Sequence, residues 1–262
     1  MTPANPSPEP RPAGVFLLPQ LLTTGCLACG FFAIVSAING DFTRAGAAIF
    51  VAMIFDGLDG RVARWTRTES AFGKEYDSLA DMVAFGVGPA VVAYQWGVAR
   101  ITEYGNTWGR FGWIASFFFA VCAALRLARF NARSGSADKR YFEGLPSPSA
   151  AAVVAAFVWF SSEWREPGLS GLILTFSITA VAGALMISSF PYPSLKQVDW
   201  DRRVKLAYLV VIVLPFLALI YSEPATMLLA MFTTFALGAP VLWFGRRLRR
   251  LVRGGGEEPP PK

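Results

Sequence analysis

The sequence predicts an all-α, polytopic transmembrane helix bundle of about eight spans with both termini cytosolic, and three observations carry that prediction. Of its 262 residues 54% are hydrophobic and only 16% charged, with mean hydropathy +0.43, whereas soluble domains carry about a quarter charged residues. Apolar runs near the roughly 20 residues that a helix needs to cross a bilayer recur along the chain. They fall at about 15–38, 45–67, 72–99, 110–131, 148–164, 169–189, 204–221 and 225–245. Finally, with the N-terminus placed in the cytosol, 20 of the 24 Lys and Arg fall on the cytosolic side, leaving only Arg44, Arg100, Arg110 and Arg165 outside. An asymmetry of that size is the positive-inside signature.

Breaker signals separate the runs: Asn39-Gly40-Asp41, Tyr104-Gly105-Asn106, Glu166-Pro167-Gly168, Pro191-Tyr192-Pro193 and Glu223-Pro224. Residues 1–14 read as a disordered Pro-rich tail, without the basic segment that opens a signal peptide. Residues 15–246 then form one membrane domain, and 247–262 a basic, then Pro/Gly-rich cytosolic tail. The net charge of +6 therefore reads as topology anchors facing anionic membrane lipid, Arg246 to Arg253 above all, with no nucleic acid as partner.

Histidine is absent. This excludes Ser-His-Asp and Cys-His nucleophiles, His-ligated zinc and phosphohistidine chemistry. Cys26, Cys29 and Cys122 read as small packing residues, so any metal site must use oxygen.

Two spans are anomalous. The run Ala45 to Phe55 is too short to cross, and its helix is completed only by taking in Asp56-Gly-Leu-Asp59-Gly-Arg-Val-Ala-Arg64. The next opens with Gly73-Lys-Glu-Tyr-Asp77-Ser-Leu-Ala-Asp81 before its apolar part begins. A carboxylate within a span costs about 2.5–3.5 kcal/mol, which makes these residues functional candidates. Asp56 and Asp59 stand at i,i+3 and Asp77 and Asp81 at i,i+4, so each pair shares a helix face. If the chain turns over near Thr68, Asp59 meets Asp77 and Asp56 meets Asp81 at matching depths on antiparallel helices. Four such carboxylates repel unless cations lie between them, and an all-oxygen cluster suits Mg²⁺ or Mn²⁺. Two ions would fit displacement at phosphorus. Gly57, Gly60, Ala63 and Gly73 clear space beside the carboxylates for a bulky ligand; close helix packing is the other use of such small residues.

Asp56-x-x-Asp59-Gly60-x-x-Ala63-Arg64, eight residues, then Gly73-x-x-x-Asp77-x-x-x-Asp81 resembles the signature of the CDP-alcohol phosphotransferase family. The resemblance implies a membrane-embedded enzyme, usually a homodimer, that transfers a phosphoalcohol group from a CDP-linked donor to an acceptor hydroxyl and releases CMP. It further implies CDP-diacylglycerol held against Gly60, Ala63 and Gly73 with Arg64 on phosphate oxygens. Asp56, Asp59, Asp77 and Asp81 are implied as metal ligands, with Asp81 also the base.

Beyond the motif, Phe85-Gly-Val-Gly-Pro-Ala90, Ala124-Leu-Arg-Leu-Ala-Arg-Phe-Asn131 and Glu143-Gly-Leu-Pro-Ser-Pro148 resemble the phosphatidylserine synthase branch. The resemblance thus implies CDP-diacylglycerol and L-serine as substrates, at the cytosolic side of the cell's inner membrane. The glycerophosphate-using branch tends to carry Pro and Lys where this chain has Ser78 and Met82. Inositol phosphate, glycerol phosphate and choline remain the alternative acceptors. Arg126 and Arg129 share a face just inside the cytosolic boundary, where a guanidinium grips phosphate or carboxylate in two bonds. The first span departs from the pattern, with Pro19-Gln20 and Cys26 where relatives commonly carry asparagines. That leaves Gln20 or Thr23 as its contribution to the site. A divalent-cation transporter, the rival class, calls for an inverted repeat and a polar path to the far side, and the sequence carries neither.

Overall fold

The chain is described from a computed structural model covering residues 13–101, 106–133, 141–164, 168–193 and 222–253. Helix α1 (Ala13–Ile38) turns through Gly40, at φ 79°, into α2 (Phe42–Thr66). Asp41 caps α2, its side chain accepting from the Arg44 amide at 3.0 Å and pairing with the Arg44 guanidinium at 3.3 Å. The charged continuation of α2 ends where Arg67 takes a left-handed conformation, φ 53°, and returns its amide to the carbonyls of Ala63 and Arg64. Ser70 then caps α3 (Ala71–Asp81), accepting from the Gly73 amide at 2.9 Å.

The expected single helix over 72–99 is interrupted. A π-helical turn, Met82–Val87, separates α3 from α4 (Gly88–Ile101). The wider turn follows from close packing, since a Cβ on Gly30 of α1 would stand 2.7 Å from the Ala84 Cα. One inserted residue shifts the helix register, so α3 and α4 aim their faces independently.

The chain continues as α5 (Asn106–Arg133), β1 (Tyr141–Glu143), α6 (Ser147–Trp164), α7 (Leu169–Ile187), β2 (Pro191–Pro193) and α8 (Pro224–Arg253). Helices thus stand at seven of the eight expected spans, and the expected span at 204–221 lies outside the described residues, as does the tail at 1–12. Among the described residues, four segments are long and apolar enough to cross a membrane: Leu17–Ile38, Arg110–Ala132, Leu169–Ile187 and Pro224–Gly245. Their outward Leu, Phe, Trp and Val side chains are exposed, as lipid-facing residues are. The protein is accordingly membrane-embedded.

Helix α6 is enclosed instead, buried at every position from Ala150 to Val158. Its alanines let neighbours approach closely and join two cores. One is shared with α1, α2 and α4, where Trp96 meets Phe42 edge to face at 4.9 Å; the other is shared with α5, α7 and α8. Cys26 and Cys122 are free thiols buried in these cores, in the packing role expected of them.

The fold is all-α as expected, with one short pairing set into it: β1 and β2 run antiparallel, Phe142 opposite Tyr192. Three-residue strands leave no alternating pattern to read. This clamp holds the entry to α6 against the exit from α7. Gly144 donates to the Phe190 carbonyl at 3.0 Å, Leu145 to that of Leu185 at 2.9 Å, and the buried Tyr192 hydroxyl to Ala236 on α8 at 2.8 Å. Gly144 has φ 81°, and a Cβ there would lie 2.3 Å from the Met186 carbonyl oxygen. Left-handed strain alone costs about 1–3 kcal/mol. Gly144→Ala is therefore expected to lower the unfolding temperature in detergent clearly, and Gly168→Ala, where a Cβ meets nothing within 4 Å, to leave it unchanged. Equal unfolding temperatures would show that the clamp adds no stability.

Candidate active site

The turn at Arg67–Ser70 brings the α2 and α3 aspartates face to face. Thr68 at its centre is buried, its amide bonded to the Ala63 carbonyl at 3.0 Å and its hydroxyl to that of Thr66 at 2.7 Å. Asp56, Asp59 and Asp77 each present a carboxylate oxygen within 4.8 Å of the others. Asp59 and Asp77 stand within side-chain hydrogen-bonding reach, as do Asp56 and Asp81. These are the two pairs expected from centring the motif on Thr68.

The pairs differ in surroundings. Asp59 and Asp77 open onto a cavity of about 530 Å³, whose wall also includes Gly60, Ala63, Arg64 and Gly73. All four small or basic residues expected at the nucleotide thus lie on one cavity, and a Cβ on Gly60 would meet only the Arg64 side chain, at 3.5 Å. Gly57 is exposed and outside this wall, so it does not clear the cavity. Lys74 lines it together with Thr68, Glu69 and Ser70. The latter three belong to the turn, and only the knowledge that the chain reverses there could have singled them out.

Helix α1 supplies a further wall through Pro19, Gln20 and Thr23. The buried Thr23 hydroxyl lies 2.8 Å from Asp59 Oδ2 and 3.1 Å from the Pro19 carbonyl, and its one proton is shared between them. A hydroxyl of the first helix thus orients a carboxylate of the second.

Asp56 and Asp81 are not part of the cavity wall. Asp81 Oδ1 is buried and has no hydrogen-bond partner. Arg126 on α5 lies near enough for its charge to act on Asp81, with no direct ion pair between the two. Arg126 Nη1 donates to Ser147 Oγ at 2.6 Å, while its Nε is buried without a partner. Arg129 is exposed and reaches the Ile187 carbonyl at 3.4 Å. Asn131 donates to Ser78 at 2.9 Å, tying α5 to the aspartate helix.

The donor set fits a hard divalent cation. Three convergent carboxylates offer only oxygen, and the buried, unpartnered Asp81 oxygen stands beside them. Asp81 lies outside the group of three, Asp56, Asp59 and Asp77, whose oxygens stand close enough together to share one ion.

The class the fold and site define is a membrane-embedded helical bundle with carboxylates paired across a helix turn beside a cavity. The chain belongs to the CDP-alcohol phosphatidyltransferase family, whose profile matches residues 16–188. It is 35% identical over 231 residues to the CDP-diacylglycerol–serine O-phosphatidyltransferase of Helicobacter pylori strain 26695, covering 87% of this chain and 92% of that one. The protein of the same name from Mycobacterium tuberculosis strain H37Rv is 33% identical over 208 residues, covering 77% and 70%. The archaetidylserine synthase of Methanothermobacter thermautotrophicus is 34% identical over 178 residues, covering 67% and 69%.

Proposed function

We propose that the protein transfers the phosphatidyl group of CDP-diacylglycerol to the hydroxyl of L-serine, giving phosphatidylserine and CMP. The observation that carries this reading is the convergence of Asp56, Asp59, Asp77 and Asp81 beside a cavity lined by Gly60, Ala63, Arg64 and Gly73. The serine acceptor draws its support from relatives named for serine in bacteria and archaea.

In this reading the nucleotide and pyrophosphate fill the cavity, with Arg64 and Lys74 on phosphate oxygens, while the acyl chains stay in the bilayer. Asp56, Asp59 and Asp77 would hold the divalent cation, Mg²⁺ or Mn²⁺, with Asp81 available to a second ion. The bound cation supplies charge neutralisation at the pyrophosphate and at the departing phosphate. Arg126 takes the serine carboxylate, which points the hydroxyl at Asp81. The serine oxygen then attacks the phosphorus that bears diacylglycerol while Asp81 accepts its proton. A serine O–P bond forms, the P–O bond to the cytidylyl phosphate breaks, and CMP leaves with that electron pair. With the four aspartates serving as ligands and base, the transfer is direct and passes through no covalent enzyme intermediate.

Eight spans, both termini in the cytosol, a cytosolic-side site in the inner membrane and a homodimeric assembly complete the proposal. They rest on the basic-residue asymmetry and the family resemblance. The test is CMP release by purified protein in mixed micelles of CDP-diacylglycerol with Mn²⁺ or Mg²⁺ and one alcohol at a time. Serine is expected to drive release; release with inositol phosphate, glycerol phosphate or choline but not serine would reassign the acceptor.

A further inference from the structure

We infer that Ser147 is a positioning residue for the acceptor: it holds the Arg126 guanidinium in the orientation that receives the acceptor's carboxylate. The inference rests on the reading of Arg126 given above and adds a residue to it.

Arginine in a bilayer-buried wall is expensive unless its donors are used. Arg126 uses one, Nη1, on a side chain rather than on the backbone, and its Nε is buried and unpartnered. The guanidinium is planar, so a bond fixing Nη1 also fixes the direction of Nε. Ser147 is suited to that task because it cannot itself move. It is 1% exposed and opens α6, immediately after the clamp in which Gly144 and Leu145 are bonded to the carbonyls of Phe190 and Leu185. The clamp is anchored in turn through the Tyr192 hydroxyl to α8. Three helices and a two-stranded pairing thus converge to place one hydroxyl, 2.6 Å from one nitrogen of one arginine.

Two unpartnered atoms remain at the site: Arg126 Nε, a cationic donor, and Asp81 Oδ1, an acceptor. Their charges attract, yet no direct pair forms. A small alcohol with a carboxylate near its hydroxyl satisfies both ends, the carboxylate at Nε and the hydroxyl at Oδ1. An arginine free to rotate would close on Asp81 instead, and the base would be lost to an internal ion pair. Ser147 prevents that closure. The Asn131 to Ser78 bond ties α5 to α3, the helices that carry these two groups.

The test compares Ser147→Ala, Arg126→Ala and the double variant by steady-state kinetics in mixed micelles, varying serine at saturating CDP-diacylglycerol and then the reverse. Arg126→Ala is expected to lower kcat/KM for serine about 10- to 150-fold, the value of a charge-assisted contact. Ser147→Ala is expected to lower it about three- to tenfold, chiefly through a raised KM for serine, with the KM for CDP-diacylglycerol unchanged. In the Arg126→Ala background the Ser147 change is expected to add nothing, because the group it positions is gone. Multiplying effects in the double variant would overturn the inference, as would an equal rise in the KM for CDP-diacylglycerol, or loss of folded protein with Ser147→Ala. Any of these makes Ser147 a purely structural residue. If Arg126→Ala leaves the serine kinetics untouched, the acceptor role of Arg126 itself fails, a pattern distinct from the failure of Ser147 alone.

Discussion

Asp81→Asn is expected to abolish transfer while leaving CDP-diacylglycerol bound. Asparagine keeps the size of the side chain and one oxygen, but it cannot accept the serine proton, and loss of a general base removes roughly 10²–10⁴ in rate. Geometry separates the two functions: Asp81 stands outside the tight triad and outside the wall of the nucleotide cavity. Its Oδ1 is the buried carboxylate oxygen without a partner, and Arg126 lies near enough for its charge to act on Asp81. Donor affinity and single-turnover rate measured side by side for Asp81→Asn and Asp59→Asn decide the point. Asp59→Asn is expected to lose both. If Asp81→Asn lost donor binding equally, Asp81 would act as a ligand alone and another group would have to serve as base.

How much of this was legible in the sequence differs by element. The aspartate pairing was readable because helix geometry turns spacing into shared faces, and because one reversal near Thr68 then fixes the depth of both pairs. The structure places Asp59 by Asp77 and Asp56 by Asp81 accordingly. Most helix positions were readable from apolar length, and α2 and α3 by admitting their charged segments as well. Three features were not. The π turn at Met82–Val87 is a one-residue insertion set by the approach of Gly30 to Ala84, a contact between distant segments. The β1–β2 clamp is too short for periodicity, and it decides where Ser147 stands. Lys74, Glu69 and Ser70 enter the cavity because the turn folds them over it, whereas their sequence neighbourhood looks like an ordinary charged boundary. The first helix lay between these cases: its missing asparagines narrowed the contribution to Gln20 or Thr23, and both reach the cavity wall, Thr23 with a bond to Asp59.

The second large effect is expected from removing the divalent cation. Three carboxylate oxygens lie within 4.8 Å of one another. At such separations each like-charged pair repels by about 4 kcal/mol at an effective dielectric constant near 20. That repulsion is far larger than the Thr23 hydroxyl bond to Asp59 can offset, since a hydrogen bond to a charged group contributes about 1.5–3 kcal/mol. A divalent ion held there would supply the counter-charge that lets all three stay ionised. Turnover in excess chelator is therefore expected to fall to background and to return when Mg²⁺ or Mn²⁺ is restored in excess. Thr23→Val, which removes the hydroxyl that orients Asp59 without touching a ligand, is expected to raise the cation concentration for half-maximal rate about 10- to 100-fold and to leave the rate at saturating cation close to that of the unaltered protein. Full turnover in chelator would remove the metal from the mechanism. A Thr23→Val defect that saturating cation could not repair would place Thr23 on the substrate rather than behind Asp59.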